Sequence, residues 1–216
     1  MRTAALCLAF VLALGACAHD AEKAAAPESK RVYRGLDKAI AGDWRAPANV
    51  ARDRYRHPRE TLAFFGVQRD MTVIEIWPAA GWYSEILAPY LRKKGHYIAA
   101  LSLPGAAGDE AAQTDAQNKL DALRTKFAKD PDVYEGATVV EFEPAAPVLG
   151  PPASADAVLT FRNVHNWVKA GTEAQMFEAF FEVLKPGGTL GVVTTAPPRA
   201  PAWTRSRAAA TCPRPT

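Results

Sequence analysis

A short loop after a β-type apolar run could bind a nucleotide-like cofactor. Residues 73–87 read VIEIWPAAGWYSEIL, in which Glu75 belongs to the apolar run and a helix-like stretch begins after the loop. Trp77, Ala79 and Gly81 stand at alternate positions of the loop, and only the last of them is glycine. In open α/β sheets, ligands bind beyond the carboxyl ends of strands where the strand order reverses. The loop is therefore a candidate cofactor site, although an ordinary strand-to-helix corner would have the same outline.

A second polar group follows a later apolar run. Asn163, His165 and Asn166 come at the end of the segment DAVLTFRNVHNW and are expected to face the same pocket. Histidine titrates near neutrality, so His165 is the candidate catalytic residue that would take a proton from a hydroxyl or amine. A lone histidine is more often structural. The four histidines of the chain show no metal-ligand spacing, and no metal site is expected.

A third polar set precedes the loop. It consists of Arg52, Arg56, His57 and Glu60 in the stretch RDRYRHPRETLAFFGV. These side chains could cover the opening of a substrate pocket, but a solvated helix face is the interpretation that we favour.

The elements that must position these groups alternate along the chain. Strands are predicted at 71–77, 96–103, 137–144, 156–164 and 187–194. Helices are predicted at 36–44, 52–67, 82–94, 109–130 and 173–186, the fourth being a charged, solvated outer helix. This alternation predicts βαβ units on a mostly parallel sheet, that is, a doubly wound, Rossmann-like α/β domain over residues 32–193.

The order of these motifs resembles that of class I S-adenosylmethionine-dependent methyltransferases. That family has an acid-x-Gly-x-Gly-x-Gly loop after its first strand, and EIWPAAG at 75–81 fits this frame with Trp77 and Ala79 in place of two glycines. FFEVLKPGGTLGVV at 180–193 looks like the family's helix, turn and fifth strand. More closely, three segments together resemble a group of predicted bacterial methyltransferases with export signals, in which the Trp-Pro loop is usual. They are RDRYRHPRETLAFFGV, EIWPAAGWYSEILAPYLR and FRNVHNW.

The resemblance implies S-adenosyl-L-methionine as the cofactor. The family often has an acid for the ribose hydroxyls at the end of strand two, whereas this chain has Ser102, which makes a weaker arrangement. The methyl acceptor is expected to be a small molecule or an envelope component. A non-catalytic binding or accessory lipoprotein of the same fold stays open as the alternative. The implied cofactor-binding residues are Glu75, Trp77, Ala79, Gly81, Ser102, Glu141 and Asn163.

The N-terminus has the layout of a secretory signal peptide at residues 1–16. Its end, Leu14-Gly15-Ala16-Cys17, resembles the lipobox of bacterial lipoproteins. We expect Cys17 to become the lipidated mature N-terminus, residues 17–31 to form a flexible tether, and the protein to lie on the periplasmic side of a bacterial membrane, attached by lipid alone. Ordinary cleavage nearby would instead leave a soluble periplasmic protein. The net charge of +3 does not indicate a nucleic-acid partner.

Residues 194–216 differ in composition from the rest of the chain. Of these 23 residues, 20 are Ala, Pro, Arg or Thr and none is acidic, so no packed element is predicted there. A natural disordered basic tail is one interpretation, and an out-of-frame reading of GC-rich DNA is the one that we favour. In the second case the sheet would lack its last strands, and we expect an aggregation-prone protein with little methyltransferase activity.

Overall fold

Five parallel strands form a single sheet in the computed structural model, which describes residues 35–103 and 110–194. The strands are β1 (Thr72–Ile76), β2 (His96–Ser102), β3 (Thr138–Phe142), β4 (Ala155–Phe161) and β5 (Leu184–Val193). Their order is β3-β2-β1-β4-β5, and each neighbouring pair is parallel. The chain adds β2 and β3 on one side of β1 and then crosses over to add β4 and β5 on its other side. The strand order therefore reverses between β1 and β4. The predicted doubly wound α/β fold is confirmed.

Several predictions concern residues outside the described ranges. The signal peptide at 1–16, the lipidation of Cys17 and the tether at 17–31 lie there, as does the tail from residue 195 onwards. Within the described ranges, no helix is both long enough and apolar enough to cross a membrane.

Helices cover both faces of the sheet, and some of their boundaries differ from the sequence prediction. The expected helix at 52–67 is two helices, because His57 has a left-handed backbone (φ 44°) and Pro58 then begins a new helix. A short helix after β4 was not predicted. The helices are α1 (35–40), α2 (Pro47–Val50), α3 (Asp53–Arg56), α4 (Pro58–Phe64), α5 (Ser84–Leu91), α6 (Glu110–Lys129), α7 (Pro131–Tyr134), α8 (Val164–Ala170) and α9 (Glu173–Val183).

The connection between α9 and β5 also differs from the prediction. The segment LKPGG was expected to be a turn before the last strand, but it belongs to β5 and lies at an irregularity in the pairing with β4. Gly187 has a positive φ (82°), whereas Gly188 does not. Gly187 therefore allows the irregular pairing between the start of β5 and β4.

Two apolar clusters cover the two faces of the sheet. Successive side chains of β1 point to opposite faces, so Val73 packs with α5 and α6 while Ile74 and Ile76 pack on the other side. Trp167 of α8 and Phe180 of α9 fill that second cluster and are fully buried. Both faces of β1 are therefore covered, and its carboxyl end is where a ligand could approach the sheet.

A buried ionic cluster attaches the N-terminal helices to α5. The fully buried Arg45 side chain donates to both carboxylate oxygens of Asp53, at 2.6 and 2.8 Å, and lies 3.9 Å from Glu85. Glu85 also accepts hydrogen bonds from Asn49 at 2.9 Å and from Lys126 at 2.6 Å. Removing one partner of such a buried group leaves an uncompensated charge. The cluster therefore holds α2 and α3 in place above the start of α5.

Candidate functional site

The loop after β1 has a left-handed backbone at three alternate positions. The φ angles are 51° at Trp77, 52° at Ala79 and 77° at Gly81. A residue with a Cβ adopts this conformation at a cost of roughly 1–2 kcal/mol. These are the three positions at which the loop frame of the family has glycine. The loop thus keeps the backbone shape of a glycine-rich loop although two of its glycines are replaced.

Neighbouring elements hold the loop in this shape. The Trp77 N–H donates to the Ala100 carbonyl at 2.8 Å, and the Lys126 ammonium donates to the Ala80 carbonyl at 3.1 Å. A Cβ at Gly81 would lie 3.2 Å from Leu123 of α6, and also 3.2 Å from the Ser84 hydroxyl of α5. A side chain at residue 81 would therefore crowd Leu123 and Ser84, in addition to being strained by the positive φ.

Glu75, the acid of the loop frame, lies inside the protein. It is 2% exposed, and its carboxylate accepts a hydrogen bond of 2.6 Å from the Tyr97 hydroxyl. The Tyr97 hydroxyl lies 2.7 Å from that of Ser84. Burial raises the pKa of Glu75 from 4.5 to about 7, in spite of the hydrogen bonds from Tyr97 and Ser84, which lower it. Glu75 thus links β1, β2 and the start of α5.

The Asn163 side chain connects β1 and β4, the two strands between which the strand order reverses. Its side-chain nitrogen donates to the Ile76 carbonyl at 2.9 Å and to the Thr160 hydroxyl at 3.2 Å. Ile76 ends β1 and Thr160 is near the end of β4, so this buried amide connects the carboxyl ends of the two strands. Both hydrogens of the amide are used in these contacts, and its oxygen is left to accept from a ligand.

A cavity of about 320 Å³ lies beside the loop at the carboxyl ends of β1, β2 and β4. Four of the predicted cofactor-binding residues line it, namely Trp77, Ala79, Ser102 and Asn163. Asn166 of α8 lines it as well. The structure also brings in residues that the sequence analysis did not single out, and these are Leu101, Asp115, Ala116 and Lys119.

Other predicted site residues lie away from this cavity. Glu141 of β3 forms an ion pair with Arg124 of α6. His165 is exposed in the first turn of α8, and it is Asn163 and Asn166 on either side of it that line the cavity. The described ranges contain no group of three His, Cys, Asp or Glu side chains that could hold a metal ion.

Helix α6 is largely solvated, as predicted, and its first half also borders the cavity through Asp115, Ala116 and Lys119. Asp115 and Lys119 pair with each other one turn apart, and Leu123 packs in the core. The i, i+4 spacing of the charges was visible in the sequence, but it is equally typical of a fully solvated helix.

Comparisons with known proteins find similarity in structure alone. No protein-family model matches the chain, and no curated protein matches it in sequence. A structure of an S-adenosylmethionine-dependent methyltransferase from Aquifex aeolicus has 19% identity and a TM-score of 0.45, with 71% of this chain and 68% of that chain covered. The five-stranded parallel sheet of the described residues, with helices on both faces, is a Rossmann-like α/β fold.

Two further structures belong to methyltransferases with stated substrates. An arsenic(III) S-adenosylmethionine methyltransferase from Chlamydomonas reinhardtii has 18% identity and a TM-score of 0.41, with 56% of this chain and 37% of that chain covered. The glycopeptide N-methyltransferase MtfA, in complex with S-adenosyl-L-homocysteine, has 22% identity and a TM-score of 0.43. The match covers 61% of this chain and 45% of that chain. The matched region spans less than half of the length of these two proteins.

The left-handed backbone of Ala79 yields a stability prediction. Ala79→Gly removes the Cβ from a strained residue, whereas Ala80→Gly removes it from an exposed neighbour whose φ is not positive. Both changes raise the entropy of the unfolded chain equally. In chemical denaturation, the free energy of unfolding of Ala79→Gly should therefore exceed that of Ala80→Gly by roughly 1–2 kcal/mol. Equal values for the two variants would show that residue 79 is unstrained.

The buried carboxyl of Glu75 yields a pH prediction. The folded protein keeps this proton up to about pH 7, whereas the unfolded chain releases it near 4.5. The free energy of unfolding contributed by Glu75 is therefore fully present below pH 4.5 and is lost as the pH rises through 7, by at most roughly 3 kcal/mol. Glu75→Gln cannot ionise, so its stability relative to the original chain should be greater at pH 8 than at pH 4.5.

Urea denaturation at these two pH values measures the difference. The exposed Glu178→Gln serves as the control, and it should leave the pH profile of the original chain unchanged. If Glu75→Gln also follows that profile, Glu75 is not the group responsible.

Proposed function

We propose that this chain is an S-adenosylmethionine-dependent methyltransferase that binds its cofactor over the loop at 77–81. The left-handed backbone at Trp77 and Ala79 carries the proposal. Strained residues of this kind persist only where the surroundings hold them, and they are concentrated at ligand sites. Two such residues at alternate positions of one loop, both lining a cavity, favour a ligand site there.

The cavity suits a cofactor of this kind in size and in chemistry. Its volume of about 320 Å³ falls within the range of roughly 300–1,000 Å³ that is usual for small-molecule sites. The Asn163 side-chain oxygen could accept from the cofactor's ammonium group, and the Ser102 hydroxyl could bond to a ribose hydroxyl. Leu101 and Ala116 add apolar surface on which an adenine ring could rest.

The chain itself would contribute mainly positioning. When bound, S-adenosylmethionine supplies an electrophilic methyl group on a sulfonium. Alignment of an acceptor with that group is the principal requirement of methyl transfer, and the rigid β1–β4 connection made by Asn163 would provide it. A role for His165 as a base stays a prediction, because the residue lies on the exposed side of α8.

Cofactor binding is tested by blocking the cavity from α6. Ala116→Trp places a large ring where Ala116 lines the cavity, whereas Ala122→Trp places the same ring on the exposed side of the same helix. Isothermal titration of the purified full chain with S-adenosylmethionine and S-adenosylhomocysteine should show binding. Ala116→Trp should weaken it at least about tenfold and Ala122→Trp by less than about twofold.

The same titration separates the two candidate functions. Binding of neither ligand by the original chain would contradict the methyltransferase proposal and favour a non-catalytic accessory protein of the same fold. Equal weakening by both tryptophan variants would contradict the placement of the cofactor beside α6.

We also propose that the protein is exported and anchored by lipid at Cys17. The support is the sequence Leu14-Gly15-Ala16-Cys17 after a short apolar run. Mass spectrometry of protein from the membrane fraction should find a lipid-modified peptide that begins at Cys17, and Cys17→Ser should abolish the modification. An unmodified mature terminus at another residue would refute the anchor.

A further inference from the structure

A second cavity, of about 480 Å³, opens at the carboxyl ends of β4 and β5. Helices α3 and α4 contribute one side of it, through Arg56 and Thr61, and the sheet contributes Phe161 and Arg162. Phe161 and Arg162 directly precede Asn163, which lines the cofactor cavity. The two cavities therefore adjoin the same short segment between β4 and α8.

The second cavity is strongly basic. Arg52, Arg56 and Arg162 line it, and no acidic residue does. In residues 35–103 and 110–194, none of these three arginines forms an ion pair with a carboxylate. Asp53, the acid beside them in the sequence, is held by Arg45 through two hydrogen bonds. Within the described residues, no carboxylate therefore contacts the positive charge of the cavity, and Glu75 acts on Arg56 without forming an ion pair with it.

The arginines are close enough to act on one another. Burial lowers the pKa of Arg56, and the charges of Arg52 and Arg162 lower it further. The Arg56 guanidinium lies over the ring of Trp82, 4.8 Å from its centre, which fixes the direction of the side chain. Guanidinium groups held in this way bind carboxylate and phosphate groups with paired hydrogen bonds.

An aromatic wall stands beside the arginines. The rings of Tyr83 and Phe161 are stacked, with centres 3.7 Å apart and planes inclined by 17°. Burial raises the pKa of Tyr83 to about 12, so its hydroxyl stays neutral at physiological pH and does not repel an anion. The combination fits a ligand that has an anionic group attached to an apolar or planar body.

The backbone at Arg162 is a further sign of a ligand site. Arg162 has a φ of 64°, and its N–H donates to the Val193 carbonyl at 2.6 Å. A non-glycine residue in this conformation is strained, and such residues occur preferentially at binding sites. Arg162 lies between β4 and Asn163, so the short segment 161–163 contributes residues to both cavities.

We propose that this second cavity binds the methyl acceptor, and that the acceptor is a small molecule carrying a carboxylate or phosphate group recognised by Arg52, Arg56 and Arg162. The assignment as acceptor site rests on the proposed methyltransferase function. The recognition of an anion does not, because it follows from the charges and the shape of the cavity alone.

The test uses small probes that share one ring and differ in charge. Phenylphosphate and phenylacetate are titrated calorimetrically into the purified full chain, with phenylacetamide as the neutral counterpart of phenylacetate, each with and without S-adenosylhomocysteine. At least one anion should bind about tenfold more tightly than phenylacetamide. Comparison of the two anions shows whether the cavity prefers a phosphate or a carboxylate.

Three variants show which arginines are responsible. Arg56→Gln and Arg162→Asn should each weaken anion binding at least about tenfold, asparagine being chosen because it tolerates a positive φ. Arg54→Gln removes the same charge from the same helix, but from a side chain that lies over Tyr55 and outside the cavity lining. This control should change affinity by less than about twofold. Melting curves confirm that each variant is folded.

The possible outcomes distinguish the two proposals. If no anion binds better than phenylacetamide, or if Arg54→Gln weakens binding as much as Arg56→Gln does, the anion site is wrong. If anions bind through Arg56 and Arg162 but S-adenosylhomocysteine does not bind at all, the anion site stands and its assignment as a methyl-acceptor site is wrong.

Discussion

The geometry of the cavity beside the loop at 77–81 depends on the hydrogen-bonded chain that joins Ser84, Tyr97 and Glu75 inside the protein. These residues belong to α5, β2 and β1, and the loop at 77–81 runs between two of those elements. A carboxyl group is expensive to bury without such partners. Because both ends of the loop are fixed in this way, its left-handed residues cannot relax without disrupting buried hydrogen bonds. The strain at Trp77 and Ala79 is therefore retained.

Much of this arrangement could be predicted from the sequence, because strands and amphipathic helices leave periodic patterns. All five strands were predicted, and the loop frame at 75–81 coincides with a left-handed backbone that was not itself predicted. The break at His57 was not placed, although Pro58, a residue type favoured in the first turn of a helix, marks where the second helix begins. The cavity residues of α6 were missed because only the packing of the helix decides which of its charged residues meet the sheet edge.

The arginine-rich segment 52–61 shows more clearly that local sequence does not reveal which charged residues line a cavity. Its alternating charges were interpreted as a solvated helix face, and Arg54 and Tyr55 are indeed exposed. Arg52 and Arg56 line a cavity only because the buried Arg45–Asp53 pair holds α3 above α5. Arg162, which completes the cavity, is distant in sequence. A cluster assembled from separate parts of the chain cannot be recognised from local spacing.

The two cavities draw on largely different parts of the chain, and they adjoin only around residues 161–163. Segment 52–61 lines only the second cavity, whereas the loop after β1 and helix α6 line only the first. Mutations in segment 52–61 could therefore change which molecules are accepted while leaving the loop after β1 intact. Under the acceptor assignment that we propose, this division would allow acceptor preference to diverge without change in the loop. It would also make segment 52–61 the target for a focused mutant library aimed at new acceptors.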